Sequence, residues 1–526
     1  MLPASAWLLP VTVLAATGGP AVPDSTLRLV RHAEADRIAN LRYESQNPVR
    51  LSHNAVTDYG YGAFGYQWQQ GGFHAIDASG HADAFGIRLD GRRRLGWFDL
   101  AGFIAYGNAT ERDRRWNSTL FLPTDNPFIL CDSVAGDAAT EAFRLGFSAA
   151  WTGQGRFSAA LDAEMLTGSM ADQTDPRPKT DATRIRLTPG AEYRLTEALS
   201  LGLSLRADIY RSDISHAIIN TQVSHRYFLM KGMGDFQRQS STDIGSYPRE
   251  YKGETFGGAL QLVYEPKGGR WGNFLEIGAL GGGEEAVDGG TYFCYRGGDY
   301  SRTGLSLNER TQFRGRRATH DLSLTAAYNS GEGKWYDQQR LVDTEHGNIT
   351  YYEVLSKYTV YKSTYMAAML NYRASFPGGA LPRLTVEAGG GLERKEEQHY
   401  AAGTLTQQFT RTTLHAGIGK NFPLHGWELD ARLHGSYAFP LGSPGFAAAT
   451  AELEQAYAAP LFEYRTAAAA AVGGALQAFV PFSQKGLALH VFANVDSRFY
   501  CGHDKWSALY AGTSRLSVRA GLGLAF

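Results

Sequence analysis

The sequence predicts a single transmembrane antiparallel β-barrel of about eighteen strands, all-β, with sixteen the alternative count. Three observations lead there. Apolar and polar residues alternate with a period of two from Tyr59 to the last residue, which puts one set on each face of a strand. The connections between these segments are short and long in turn, the connectivity of a barrel with short periplasmic turns and long extracellular loops. The last segment, Ser514 to Phe526, alternates to its end and stops on an aromatic, where a closing strand reaches the membrane interface at which aromatics concentrate.

Composition narrows the classes. The 526 residues carry 51 basic and 52 acidic side chains, which excludes the basic footprint of a nucleic-acid binder. Sixty-one glycines and 12% aromatics suit short alternating β segments. No apolar run approaches the roughly 18 residues of a transmembrane helix. The mean hydropathy of −0.29 is what a barrel has when every second residue faces lipid. No Pro- or Ser-rich linker divides the chain, as a soluble chain of this length would need. No repeat of roughly 40–50 residues marks a propeller.

In chain order, Met1 to Gly19 has an apolar centre from Trp7 to Ala16 followed by small residues. It resembles a secretory signal peptide cleaved between Ala15 and Gly19, although no Lys or Arg precedes the apolar centre. Residues 20–58 read as a periplasmic N-terminal segment and a candidate lumen plug. Leu27 to Leu41 could form a short helix, and Tyr43 to Asn54 has turn chemistry. Arg28, Arg31, Arg37 and Arg42 could pair there with inward acids such as Asp430, Glu428 or Glu387. The segment is too short for the plug domain of a TonB-dependent receptor.

Residues 59–526 read as the barrel. Phe143 to Trp151 and Phe157 to Met165 flank a tight hairpin at Gly153-Gln154-Gly155. Leu199 to Ile209, Trp427 to Phe439 and Leu487 to Val495 alternate equally well. Short turns are expected at Arg92–Leu95, Gly153–Gly155, Thr196–Ala198, Pro266–Arg270, Ser330–Lys334, Pro377–Pro382, Pro423–Gly426 and Ser483–Gly486. Long loops are expected at Asn108–Ala139, Gly168–Ala182, Ser212–Gly253, Glu284–Arg317, Thr344–Tyr361, Lys395–Thr406, Pro440–Phe462 and Tyr500–Ala511, with a shorter one at Gly71–Gly80. The alanine run Ala467–Ala471 could pass for a helix but continues into Leu476, Ala478 and Val480, so Glu463 to Phe482 reads as a strand.

The alternation also names the lumen. Arg144, Asp162, Glu164, Arg186, Arg206, Asp208, Arg373, Glu387, Asp430, Arg432, His434, His490, Asp496, Arg515 and Arg519 should face inward. Charges of both signs on neighbouring strands can pair into a hydrated lattice that holds the barrel round, and can line a path for a hydrophilic solute. His415, His434 and His490 lie on separate strands and form no ligand motif. Neither a Gly-x-Ser-x-Gly elbow nor a His-Glu-x-x-His pair occurs, so no catalytic, metal or cofactor site is expected. Cys131, Cys294 and Cys501 are too few and odd in number for a disulfide framework. Aromatic-rich loops, with Trp116, Phe121 and Phe128 in one and Tyr227, Phe228 and Phe236 in another, could fold over the mouth or dock a partner.

Three resemblances rest on these residues. Arg519, Gly521, Leu524 and Phe526 resemble the C-terminal assembly signal of bacterial outer-membrane barrels, which implies recognition by the barrel assembly machinery. The segment Asp125-Asn126-Pro127-Phe128-Ile129-Leu130-Cys131-Asp132-Ser133, with Ser45-Gln46-Asn47-Pro48 and the strand layout, resembles an uncharacterised family of Bacteroidota outer-membrane barrels, from Asp24 to Phe526. Cys131 departs from the small or apolar residue expected there. The resemblance implies fold and location but no substrate. The early Asn-Pro is also similar to the hatch of the long-chain fatty-acid transporter family, against which the charged lumen counts.

The expectation is a non-enzymatic, porin-like channel or an accessory barrel of an outer-membrane uptake system. Its partners would be outer-membrane lipid and lipopolysaccharide, the assembly machinery and an uptake-system protein, with no nucleic acid. A hatch-gated transporter of hydrophobic molecules, a structural or docking barrel with a plugged lumen, and a barrel enzyme are the alternatives.

Overall fold

The computed structural model describes residues 24–526, apart from 154, 242–246, 290–293, 346, 348, 380, 401–402, 425–426 and 482–486. The signal-peptide reading of Met1 to Gly19 falls outside the described residues.

Eighteen antiparallel strands form one sheet that closes on itself. They are β1 Tyr59–Gln70, β2 His81–Leu95, β3 Phe98–Arg114, β4 Gly136–Thr152, β5 Phe157–Asp172, β6 Pro178–Arg194, β7 Leu199–His216, β8 Arg249–Tyr264, β9 Trp271–Asp288, β10 Tyr295–Arg314, β11 Thr319–Asp343, β12 Ile349–Phe376, β13 Leu384–His399, β14 Leu405–Leu424, β15 Trp427–Pro440, β16 Ala469–Pro481, β17 Ala488–Tyr500 and β18 Ser514–Ala525. Each pairs with its sequence neighbour, and β1 pairs with β18 from Tyr61↔Ala525 to Gln70↔Leu516. Closure leaves no sheet edge to pair with another chain.

The two-residue period sets what each face meets. On β7, Leu201, Leu203, Leu205 and Ile209 are exposed on the outside while Ser204 and Asp208 are buried inside. The same division runs round the wall, so the outer surface is an apolar band. At the short-turn end the band finishes in exposed aromatics, among them Trp97, Phe98, Trp151, Phe157, Tyr193, Tyr264, Trp271 and Phe313.

The predicted count of eighteen holds, but one strand was placed wrongly. The expected loop Glu284–Arg317 contains β10, and the expected turn Ser330–Lys334 lies inside β11. One missed strand and one strand cut in two cancel in the count. Much of the expected loops Gly168–Ala182, Thr344–Tyr361 and Lys395–Thr406 is also wall: the strands there run to Asp172, from Ile349 and to His399. Crossing a bilayer takes only about 9–11 residues, whereas β11 has 25 and β12 has 28. At the paired ends of these strands apolar residues of both parities are exposed, Val354 beside Leu355 among them, and the period of two fades. Finally, the segment read as a strand from Glu463 begins as a helix, Ala459–Thr466, and becomes β16 only at Ala469.

Candidate functional site

The chain ahead of β1 folds inside the barrel at the short-turn end. It makes helix α1 Asp24–Val30, helix α2 His32–Ala39 and a 3₁₀ turn Pro48–His53. Asn47 starts that turn by accepting from the Val49 N–H, and Pro48 needs no N–H at its first position.

Charged side chains tie this segment to the wall on opposite sides. Arg31 reaches Asp430 on β15 at 2.8 Å, and Arg432 reaches the same carboxylate at 3.2 Å. Glu34 accepts from Arg31, from Arg373 on β12 at 3.1 Å and from Arg432 at 2.5 Å. Burial alone would raise the Glu34 carboxyl, but Arg31 and Arg432 pull it down to about 2. Across the lumen, Arg42 binds Glu192 on β6 at 2.8 Å and Glu265 at 3.0 Å. Ser45 donates to Glu276 on β9 at 2.6 Å, and the Asn47 amide donates to Gln261 on β8 at 3.0 Å and to the Ala191 carbonyl at 2.9 Å. A Cβ at Gly190 would lie 2.3 Å from Asn47 Oδ1, so glycine there is what lets the turn touch the wall. Arg310 on β10 donates to the Asn40 carbonyl, and Arg92 on β2 to those of Leu51 and Val56. Inside the segment, Asp36 accepts from the N–H groups of Ala55 and Val56; burial pushes its carboxyl up to about 6, against those two bonds.

The opposite end is covered by the loop after β3 and a hairpin. Leu130–Cys131 pairs with the strand His225–Gly232, which pairs with Asp235–Ser241. Phe128, fully buried, sits against Gly298 and Gly333, where any Cβ would crowd its ring. Its carbonyl accepts from Tyr251 Oη at 2.7 Å and from Arg249. Arg249 is clamped on both oxygens of Asp288, at 2.5 and 2.9 Å, with neither side chain exposed. Tyr300 Oη donates to Asp125 at 2.8 Å. The segment Asp125 to Ser133 is thus part of the cap over the mouth.

The residues expected to line the lumen all stand on the inner wall, and most are paired. Arg144 meets Glu164 at 2.8 Å, and Asp162 meets Arg50 at 3.1 Å. Asp208 gathers Arg184, Arg186 and Arg206 between 2.6 and 3.0 Å. Arg373 adds Glu387 at 3.1 Å. His434 meets Asp496 at 2.9 Å, His490 meets Tyr61 Oη at 2.7 Å, and Arg515 donates to the Ser79 carbonyl at 2.8 Å. Arg519 borders a cavity of about 680 Å³ between the N-terminal segment and the wall of β1 to β4. Among the assembly-signal residues, Gly521 faces inward, Leu524 is exposed outside, and Phe526 exchanges backbone hydrogen bonds with Gly60. Among the described residues, no group of three His, Cys, Asp or Glu side chains could hold a metal ion. Cys131 is buried, Cys294 and Cys501 are exposed, and all three are free thiols.

Sequence reasoning missed Glu34, Arg310, Arg249 and Phe103. Glu34 lies on a helix, outside any strand alternation, and Arg310 lies on the strand taken for a loop. Phe103 continues the inward set of β3, and its ring occupies the space left by Gly146.

A profile described as a family of unknown function (DUF6850) matches residues 48–526. No curated protein matches. Similar solved structures include the ferric yersiniabactin uptake receptor FyuA from Yersinia pestis, 7% identical over 90% of this chain and 81% of that one, TM-score 0.44. The FrpB iron transporter from Neisseria meningitidis is 10% identical over 91% and 83%, TM-score 0.43. A Pseudomonas aeruginosa FadL homologue is 14% identical over 97% and 99%, TM-score 0.33.

Proposed function

We propose, for a chain that belongs to the family of unknown function DUF6850, a non-enzymatic channel of the bacterial outer membrane, or the barrel component of an uptake system there, whose polar lumen is closed at rest by its own N-terminal segment. The outward apolar band and the aromatics at the short-turn end support the membrane reading, and short turns at one end with long loops at the other favour a periplasmic short-turn end. Eighteen strands enclose a lumen wide enough for water-soluble molecules, so a filled lumen is a gate or a stopper rather than a packing necessity.

The observation that carries the gate is how residues 24–58 are held. They are attached by charged and polar side chains, through Arg31 and Glu34 on one wall and Arg42 and Ser45 on the other. The charged and polar contacts can exchange for water when the segment leaves, while Val30 against Phe479 and Leu41 against Val263 and Phe274 add buried apolar contacts that help to hold it. A hydrophobic-molecule transporter would need an apolar path, and the paired charges on the inner wall count against one.

Planar-bilayer recording tests the reading. The intact protein should show small or no steady conductance, and removing Asp24–Asp58 should raise it, most clearly when the cap formed by the loop after β3 and the hairpin is removed as well. Large steps from the intact protein would make it a simple diffusion pore. Silence from all three would favour a structural or docking barrel.

A further inference from the structure

The cavity of about 680 Å³ has a wall with an unusual surface. Its size falls within the roughly 300–1,000 Å³ of small-molecule sites. Gly65, Gly86, Gly107 and Ala142 are register partners in one row across β1, β2, β3 and β4, and all four border it. With nothing longer than a methyl group at this level, the wall is smooth and set back. A Cβ at Gly107 would meet only the Phe85 carbonyl, at 3.9 Å, so a side chain is sterically allowed there and its absence is what leaves the space.

Two residues nearer the short turns, Arg88 and Arg144 project from β2 and β4. Both lie over the Phe103 ring, at 4.4 and 5.3 Å from its centroid. Each is already neutralised, Arg88 by Asp90 at 3.1 Å and Arg144 by Glu164 at 2.8 Å. On the side of the N-terminal segment Arg50 is matched by Asp162.

Most of the charges that border the cavity therefore come as pairs; Asp36 is held by the N–H groups of Ala55 and Val56, and Glu44 is exposed at the edge. An anion or cation entering would have to break a pair or face a like charge beside its partner. An apolar molecule would cover these donors and acceptors without replacing their water, which is costly. A neutral solute rich in hydroxyls does neither, because each hydroxyl can donate to a carboxylate and accept from a guanidinium. The flat C–H face of a sugar ring also suits a strip without side chains. We propose that this cavity binds a neutral oligosaccharide, with Arg88, Asp90 and Arg144 as the hydrogen-bonding rim and the glycine row as the platform. The proposal rests on the reading of the lumen as a solute path and names the solute.

Isothermal titration of the purified full chain tests it, with maltotriose, cellotriose, xylotriose and mannotriose as neutral probes and citrate, inorganic phosphate and triglycine as comparators. At least one neutral trisaccharide should bind, and none of the comparators should match it. Gly107→Phe, which fills the platform, and Arg144→Gln, which breaks the rim, should each weaken binding by about tenfold or more. Both variants should keep the heat-modifiable migration of a folded barrel. Silence across the panel, preference for a comparator, or unchanged binding in a folded Gly107→Phe protein would each overturn the site. Conductance reports separately on the gate: a channel that opens on removing Asp24–Asp58 yet binds no saccharide loses the ligand and keeps the gate.

Discussion

Arg31 and Asp430 meet at 2.8 Å, Nη2 to Oδ2, with each side chain 3% exposed. One belongs to the segment inside the lumen and the other to strand β15, so the pair couples segment to wall. Removing one member weakens docking by less than about 3–5 kcal/mol, the cost for an isolated buried pair, because Asp430 keeps Arg432 and Arg31 keeps Glu34. That cost falls on docking of the segment, because β15 keeps its full backbone pairing with β14 and β16. Arg31→Ala and Asp430→Ala should each raise the steady conductance without loss of heat-modifiable barrel. The double substitution should cost less than the sum of the two. Additive effects would mean that the pair does not act as a unit.

Docking should also depend on pH. Asp36 has its carboxyl raised from 3.8 to about 6 by burial. The docked form then binds a proton that the released form gives up, so this contribution is complete below the lower value and is lost as pH rises through about 6. Glu34, lowered from 4.5 to about 2, works the other way: its contribution is present above 4.5 and is lost as pH falls through about 2. Conductance should therefore be lowest near pH 4 to 5 and rise toward pH 6 and above. The Asp36→Asn variant should flatten that rise, and an unchanged profile would remove Asp36 from the gate.

Phe526 closes the sheet at its last register position. Its N–H and C=O bond Gly60 at 2.9 and 2.7 Å, and its ring covers the spot where a Gly60 Cβ would sit. The ring is 62% exposed, so it adds little core packing. Deleting Phe526, or replacing it with Asp, should lower the yield of membrane-inserted protein while the little that assembles keeps near-normal thermal stability. Normal yield of inserted protein would show that the aromatic end is dispensable.

The barrel was legible because lipid-facing strands must alternate, and the strands that meet the apolar band for most of their length, such as β4, β5, β7 and β18, were read correctly from that alone. β10 was missed for the same reason in reverse. Its sequence Tyr295–Arg314 has only Leu305 and Leu307 in its middle as aliphatic side chains, and most of the rest is polar on both faces. The inward charges were legible as a set, since parity fixes the face, but their partners were not. Asp208 meets Arg184 and Arg186, and Arg144 takes Glu164, because of cross-strand register, which the sequence does not carry. The attachment of the N-terminal segment was anticipated for Arg31 on Asp430 but not for Arg42, which takes Glu192 and Glu265, and the glycine row became a feature only when four strands aligned it.

The cap over the mouth gives the last prediction. Arg249, fully buried, holds Asp288 with two bonds and turns its remaining N–H toward the Phe128 carbonyl, so one side chain joins β8, β9 and the loop after β3. Arg249→Ala should cost about 3–5 kcal/mol, because the Asp288 charge is left buried without its partner. The loss should be felt where Arg249 acts, at the long-loop end. Residues 219–224, which are exposed ahead of the hairpin, should be the first site cut by protease added to intact cells. In Arg249→Ala, cleavage should spread to the Asp125–Ser133 segment, now released from Tyr251 and Phe128's pocket. Steady conductance should stay low even so, because residues 24–58 still close the opposite end through contacts that Arg249 does not touch. A variant that becomes conducting on loss of Arg249 alone would place the main barrier at the mouth and not at the N-terminal segment. Cleavage confined to the short turns would reverse the orientation of the barrel in the membrane.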